Sequence, residues 1–193
     1  MGSNKEVDQS TNYVPNVENM GKTFKFEKLD YLLPMPESTT KPIMQIRKMA
    51  ARKRVALVAH DNKKKELIEW AIYNKQALSQ HRLFATGTTG QLLEVALDQS
   101  ITKYLSGPLG GDQQIGARIA EGKIDVLIFF WDPMEAQPHD PDIKALLRLG
   151  GVWNIPIACD RATADFLLTS PLMYQDYQII LPDYSQYIKR AQK

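Results

Sequence analysis

The run Asp-Val-Leu-Ile-Phe-Phe-Trp at residues 125–131 constrains this chain more than any other stretch. It shows no alternation, so it has no face to give to water. It is also too short for a buried helix, and Pro133 closes it. A short apolar run bounded by turn residues reads as a strand covered on both faces, and such strands belong to parallel sheets flanked by helices. The rest of the chain supplies matching pieces. RVALVA at 54–59 is a strand, and KKKELIEWAIY at 63–73 is a helix with Leu67, Ile68, Ala71 and Ile72 on one face. HRLFAT is a second strand, and the helix TTGQLLEVAL starts at Thr88. A short strand over 103–105 leads into SGPLGG, and the helix QQIGARIAEG closes at Gly122. Beyond 131 come a helix with Pro141 in its first turn, the strand IPIAC, the helix TADFLLTS, the strand YQIILP and the helix YSQYIKRAQ. Strands alternating with helices predict an α/β fold: a doubly wound, mostly parallel sheet sandwiched by helices, over residues 51–193.

Residues 1–50 differ and are expected to form an N-terminal extension. The first part is polar and patternless, so it is expected to be partly disordered; TFKFEKLDYLL could dock as an arm. The basic run RKMAARKR at 47–54 is expected to be a solvated lead-in to the first strand. A net charge of +2 gives no electrostatic reason to expect a nucleic-acid partner or a membrane surface. No stretch approaches the ~20 apolar residues of a membrane span. The opening MGSNKE lacks a signal-peptide apolar core, and Glu6 stands where a myristoylation signal wants Ser or Thr. The lone Cys159 cannot form an internal disulfide, which suits a reducing cytoplasm.

In doubly wound sheets ligands bind beyond the carboxyl ends of the strands, and the polar clusters of this chain sit there. The first strand ends in His60-Asp61, followed by Lys63, Lys64 and Lys65. The second ends in TGTTG at 86–90. Its glycines let backbone N–H groups converge, and the next helix start adds a positive end, which makes an anion cradle; the P-loop spacing is absent. Lys64 adds a point charge. The third ends in SGPLGGDQQ, where Ser106 and Gly107 offer donors, Gly110 and Gly111 allow a tight bend, and Asp112 sits at a helix start. The fourth ends in WDPMEAQPHDPD, with Asp132, His139, Asp140 and Asp142. A histidine among carboxylates invites a metal, but paired-histidine spacing is missing, so acid–base chemistry fits better and no metal is expected. His81 lies at the start of its strand, away from this edge, and reads as structural.

Long literal blocks carry a resemblance: AHD at 59–61, ATGTTG at 85–90, SGPLGGDQQIGARIAEGKIDVLIFFWDP at 106–133 and PHDPDIKALLRLGGVWNIPIA at 138–158. Over residue 51 to the last helix the chain resembles the methylglyoxal synthase family. The resemblance implies a cytoplasmic lyase that converts dihydroxyacetone phosphate to methylglyoxal and inorganic phosphate, with no metal or organic cofactor. It also implies a homohexamer, with inorganic phosphate as both product and allosteric inhibitor. By position, Asp112 corresponds to the catalytic base, while His139 and Asp142 handle the hydroxyl and carbonyl protons, and Asp132 is the remaining acid. His60, Asp61, Lys64, Thr86, Gly87, Thr88, Thr89, Ser106 and Gly107, with His139, correspond to substrate and phosphate contacts. Arg190, or alternatively Arg148, is the candidate for the family's C-terminal phosphate-reaching arginine. A sensor domain of the same fold, binding a phosphorylated ligand without chemistry, is the alternative.

Overall fold

The computed structural model describes residues 45–135 and 140–191. The polar segment, the arm and the turn expected within residues 1–44 lie outside the described residues, as does His139. A five-stranded sheet forms from β2 (Arg54–Ala59), β3 (Arg82–Ala85), β4 (Thr102–Lys103), β5 (Val126–Phe130) and β6 (Ile157–Ala158). Its order is β4-β3-β2-β5-β6, and every pairing is parallel. The chain therefore winds outward from β2 through β3 to β4, then crosses back to β5 and winds the other way. The expected doubly wound sheet is present, and its switch point lies between β2 and β5.

Helices cover both faces: α1 (Lys64–Tyr73), α2 (Lys75–Leu78), α3 (Gly87–Leu97), α4 (Gly111–Ala120), α5 (Asp140–Val152) and α6 (Arg161–Thr169); a further helix, α7 (Ser185–Ala191), lies near the end of the described residues. Period-two alternation in β2 and β5 feeds two cores. Val55, Leu57, Val126, Ile128 and Phe130 pack with Leu67 and Trp70 of α1, Leu93 of α3 and Leu168 of α6. Ala56, Val58, Leu127 and Phe129 pack with Ile115 and Ile119 of α4 and Ile143 and Leu146 of α5. All five residues of β5 are buried, which is why its sequence shows no polar side. The Trp70 indole N–H donates to Asp165 Oδ1 at 2.7 Å and pins α1 to α6.

Several sequence expectations need correction. Ile72 is exposed, and Trp70 takes the inner face of α1 with Leu67 and Ala71, at the i, i+3, i+4 spacing of one helix face. The helix expected to start at Thr88, α3, begins at Gly87 with Thr86 as N-cap. β4 and β6 are shorter than expected, at two residues each. The segment 177–182 does form a strand, β7 (Tyr177–Leu181), but outside the parallel sheet: it pairs antiparallel with β1 (Gln45–Met49), from Gln45↔Leu181 to Met49↔Tyr177. β1 lies within the segment that the sequence assigns to the extension. The basic run is not simply solvated either. Lys53 is only 2% exposed, and its ammonium donates to Ala50 O at 2.7 Å and Gln175 O at 2.5 Å. Charged residues conceal β1 because a long side chain can bury its stem while its head finds polar partners.

Candidate functional site

A cavity of about 290 Å³ opens at the carboxyl edge, beside the switch point. It is lined by His60, Asp61 and Lys64 after β2, Thr86 and Thr88 after β3, Ser106 and Gly107 after β4, and Asp112 in the first turn of α4. Three chain segments thus send helix starts toward one space: α1 preceded by a 3-10 turn at Asp61–Lys63, α3, and α4 preceded by a 3-10 turn at Gly107–Leu109. Converging helix N-termini present N–H donors and positive dipole ends, which suit a phosphate.

Backbone contacts explain how the cradle is held. Gly87 N–H donates to Leu105 O at 3.1 Å, and Gly111 N–H donates to Ser106 O at 3.0 Å. A Cβ on Gly111 would stand 2.0 Å from Leu105 O, so only glycine lets the start of α4 lie against this turn. Gly110, at φ +98°, makes the left-handed bend that delivers Asp112 into the cavity. Gln114 Oε1 accepts from Leu105 N–H at 2.8 Å and steadies the same residue from its other side. Asp112 is buried at 4% exposure, in a helix first turn that favours negative charge.

The three lysines separate cleanly. Lys63 pairs with Glu66 at 2.9 Å and Lys65 with Glu69 at 3.9 Å. Lys64 instead lines the cavity, 2.5 Å from Asp61 Oδ1 and 3.4 Å from Thr88 Oγ1. A cation held between a carboxylate and a threonine hydroxyl at the mouth of an anion cradle is placed to meet a phosphate.

Other sequence-predicted residues stand apart from the lining. Thr89 is fully buried, and its Oγ1 finds no hydrogen-bond partner among the described residues. Gly87 contributes through its backbone contact with Leu105. Asp142 is half-buried in the first turn of α5. Asp132 faces the loop after β5: Oδ1 accepts from Met134 N–H at 3.0 Å and Oδ2 from Asn62 Nδ2 at 3.3 Å. The Met134 amide, then Asn62 and Lys63, hold its carboxyl below the usual range. Arg148 and Arg190 are exposed on α5 and α7, and neither lines the cavity. Sequence reading missed Val58, Phe129 and Pro108, which form the apolar lining. The signal for the first two was position, since each sits one residue before the carboxyl end of its strand. No group of three or more His, Cys, Asp or Glu among the described residues could hold a metal ion.

Fold and cavity together define a class: a doubly wound α/β domain that gathers helix N-termini, a lysine and a buried carboxylate at its switch point. A family model described as the MGS-like domain matches residues 66–159. A methylglyoxal synthase of Saccharophagus degradans is 59% identical over 145 residues, spanning 75% of this chain and 94% of the relative. One from Vibrio cholerae is 61% identical over 142 residues, spanning 74% and 94%. The crystal structure of methylglyoxal synthase from Elizabethkingia anophelis superposes with a TM-score of 0.72 at 56% identity, covering 76% of this chain and 96% of that one. The chain belongs to the methylglyoxal synthase family.

Proposed function

We propose that this protein is a lyase that converts dihydroxyacetone phosphate to methylglyoxal and inorganic phosphate. The observation that carries the reading is that one cavity is lined by both the buried Asp112 carboxylate and the cradle of Lys64, Thr86, Thr88, Ser106 and Gly107. The cradle takes the phosphate, and Asp112 removes a C3 proton to give an enediol phosphate. Charge grows on the carbonyl oxygen in that step, so donors aimed at it lower the barrier. His60 lines the cavity for this purpose. The family resemblance assigns His139 and Asp142 to the hydroxyl and carbonyl protons. The C3 hydroxyl then loses its proton, C3 becomes the aldehyde, and the electron pair moves to expel phosphate from C1. Lys64 and the helix starts stabilise the leaving dianion. The released enol gains a proton at C1 and becomes methylglyoxal, which balances the reaction without an added reductant or oxidant.

The same reading gives the protein a glycolytic bypass role in the cytoplasm, a homohexameric assembly and sensitivity to inorganic phosphate. Among the described residues, no helix is long and apolar enough to cross a membrane. A sensor without chemistry finds no support among the relatives, which are synthases. The test is to follow methylglyoxal and inorganic phosphate together from dihydroxyacetone phosphate. Equal release of both is expected; binding without turnover would overturn the lyase reading.

A further inference from the structure

The switch point holds a contact that assigns a role to Asp132 other than that of an acid. His60 ends β2 and is 6% exposed. Its backbone N–H donates to Phe130 O at 3.2 Å, which ties it to the end of β5. In return, the backbone N–H of Asp132 donates to His60 Nδ1 at 3.2 Å. An N–H donor requires a lone pair on Nδ1, so the proton of the neutral ring resides on Nε2. The imidazole also stands edge-on to Phe129, with centroids 5.2 Å apart at 71°, which fixes its plane. Meanwhile the Asp132 carboxylate is engaged with Met134 N–H and Asn62, and Asn62 Nδ2 reaches on to Glu135 Oε2 at 2.6 Å. These bonds shape the turn that carries the Asp132 amide.

We propose that Asp132 is a positioning residue for His60: its backbone amide selects the Nε2–H tautomer, and its carboxylate holds the turn that aims that amide. The ring's one N–H is then at Nε2, an atom buried in this structure, and it is the donor the proposed reaction assigns to the substrate's carbonyl oxygen. That last use rests on the proposed reaction; the tautomer itself does not.

The chain has 3 histidines, so one comparison spectrum from a His60→Gln variant assigns the ring in 15N-histidine-labelled protein. Near neutral pH, the imidazole 15N shifts of wild type should show His60 protonated at Nε2 with Nδ1 as acceptor. Asp132→Asn, which keeps a side-chain oxygen for Met134, should retain that tautomer. Asp132→Ala should mix the tautomers and lower kcat by at least about tenfold relative to Asp132→Asn, the scale of a slightly misplaced catalytic group. An Nδ1–H or doubly protonated His60 in wild type would overturn the proposal. So would an Asp132→Asn enzyme as impaired as Asp132→Ala, or an Asp132→Ala protein matching wild type in both readouts. If wild type releases no methylglyoxal, the lyase reading fails, and the spectra still decide the positioning role.

Discussion

His81 shows how much a single buried side chain can set. It is completely buried, its Nδ1 accepts from Lys53 N–H at 3.3 Å, and burial with nearby Lys53 and Arg52 pushes its pKa down to about 4. The unfolded chain binds this proton near the ordinary 6.5, so the folded state resists protonation. Stability from this site is therefore complete above 6.5 and is lost as pH falls toward 4, amounting to about 3 kcal/mol. The lowered aspartates, such as Asp160 and Asp176, lose their stabilising effect mainly at more acid pH, and comparison with His81→Gln separates His81 from the other groups that titrate in this range. Denaturant titrations from pH 7 to 4.5 should show that slope, flattened in His81→Gln; equal slopes would sink the assignment. The structural role of His81 was legible in the sequence from its place at a strand's start. That Lys53 lies buried beside it was not, because sequence shows a charge and not the carbonyls that receive it.

Elements with one strong period were easiest to read. β5 could be nothing but a covered strand, and Gly122, at φ +67°, stops α4 as expected. β1 escaped detection because Arg47 and Lys48 interrupt its apolar pattern and its partner is far away in sequence, at β7. The turn before α4 was legible as glycine-rich, but the reason is spatial: Leu105 O occupies the place of a Gly111 side chain. Gly111→Ala should displace the Ser106 turn, costing at least about 2 kcal/mol and most of the phosphate affinity. Gly151→Ala, in α5 with nothing within 4 Å of a new Cβ, should be neutral or up to about 1 kcal/mol stabilising. Thermal unfolding of the pair with inorganic phosphate titration checks both; similar effects from the two would remove the close-approach argument.

At the scale of the whole molecule, the sheet separates stability from chemistry by its two edges. Its amino edge is tied by Asp125, 1% exposed, which accepts from Arg54 N–H at 2.9 Å and from the guanidinium at 2.8 and 2.6 Å. Removing a partner of a buried pair costs about 3–5 kcal/mol; Arg54, with its side chain 29% exposed, can still reach water, so Asp125→Ala should fall at the low end. Below its unfolding transition that variant should keep the wild-type KM, and a raised KM would show that the two edges are coupled. The sequence places polar clusters at four strand ends, and residues of the first three line the cavity at that edge. It could not reveal that Asp132 turns away from the cavity, since that depends on bonds across the β2–β5 switch point. The central claim is one buried base facing a phosphate cradle, and Asp112→Asn tests it most directly. With dihydroxyacetone phosphate as substrate, kcat should fall by at least about a thousandfold, while inorganic phosphate binds as tightly as to wild type or tighter. Turnover within about tenfold of wild type would contradict the account.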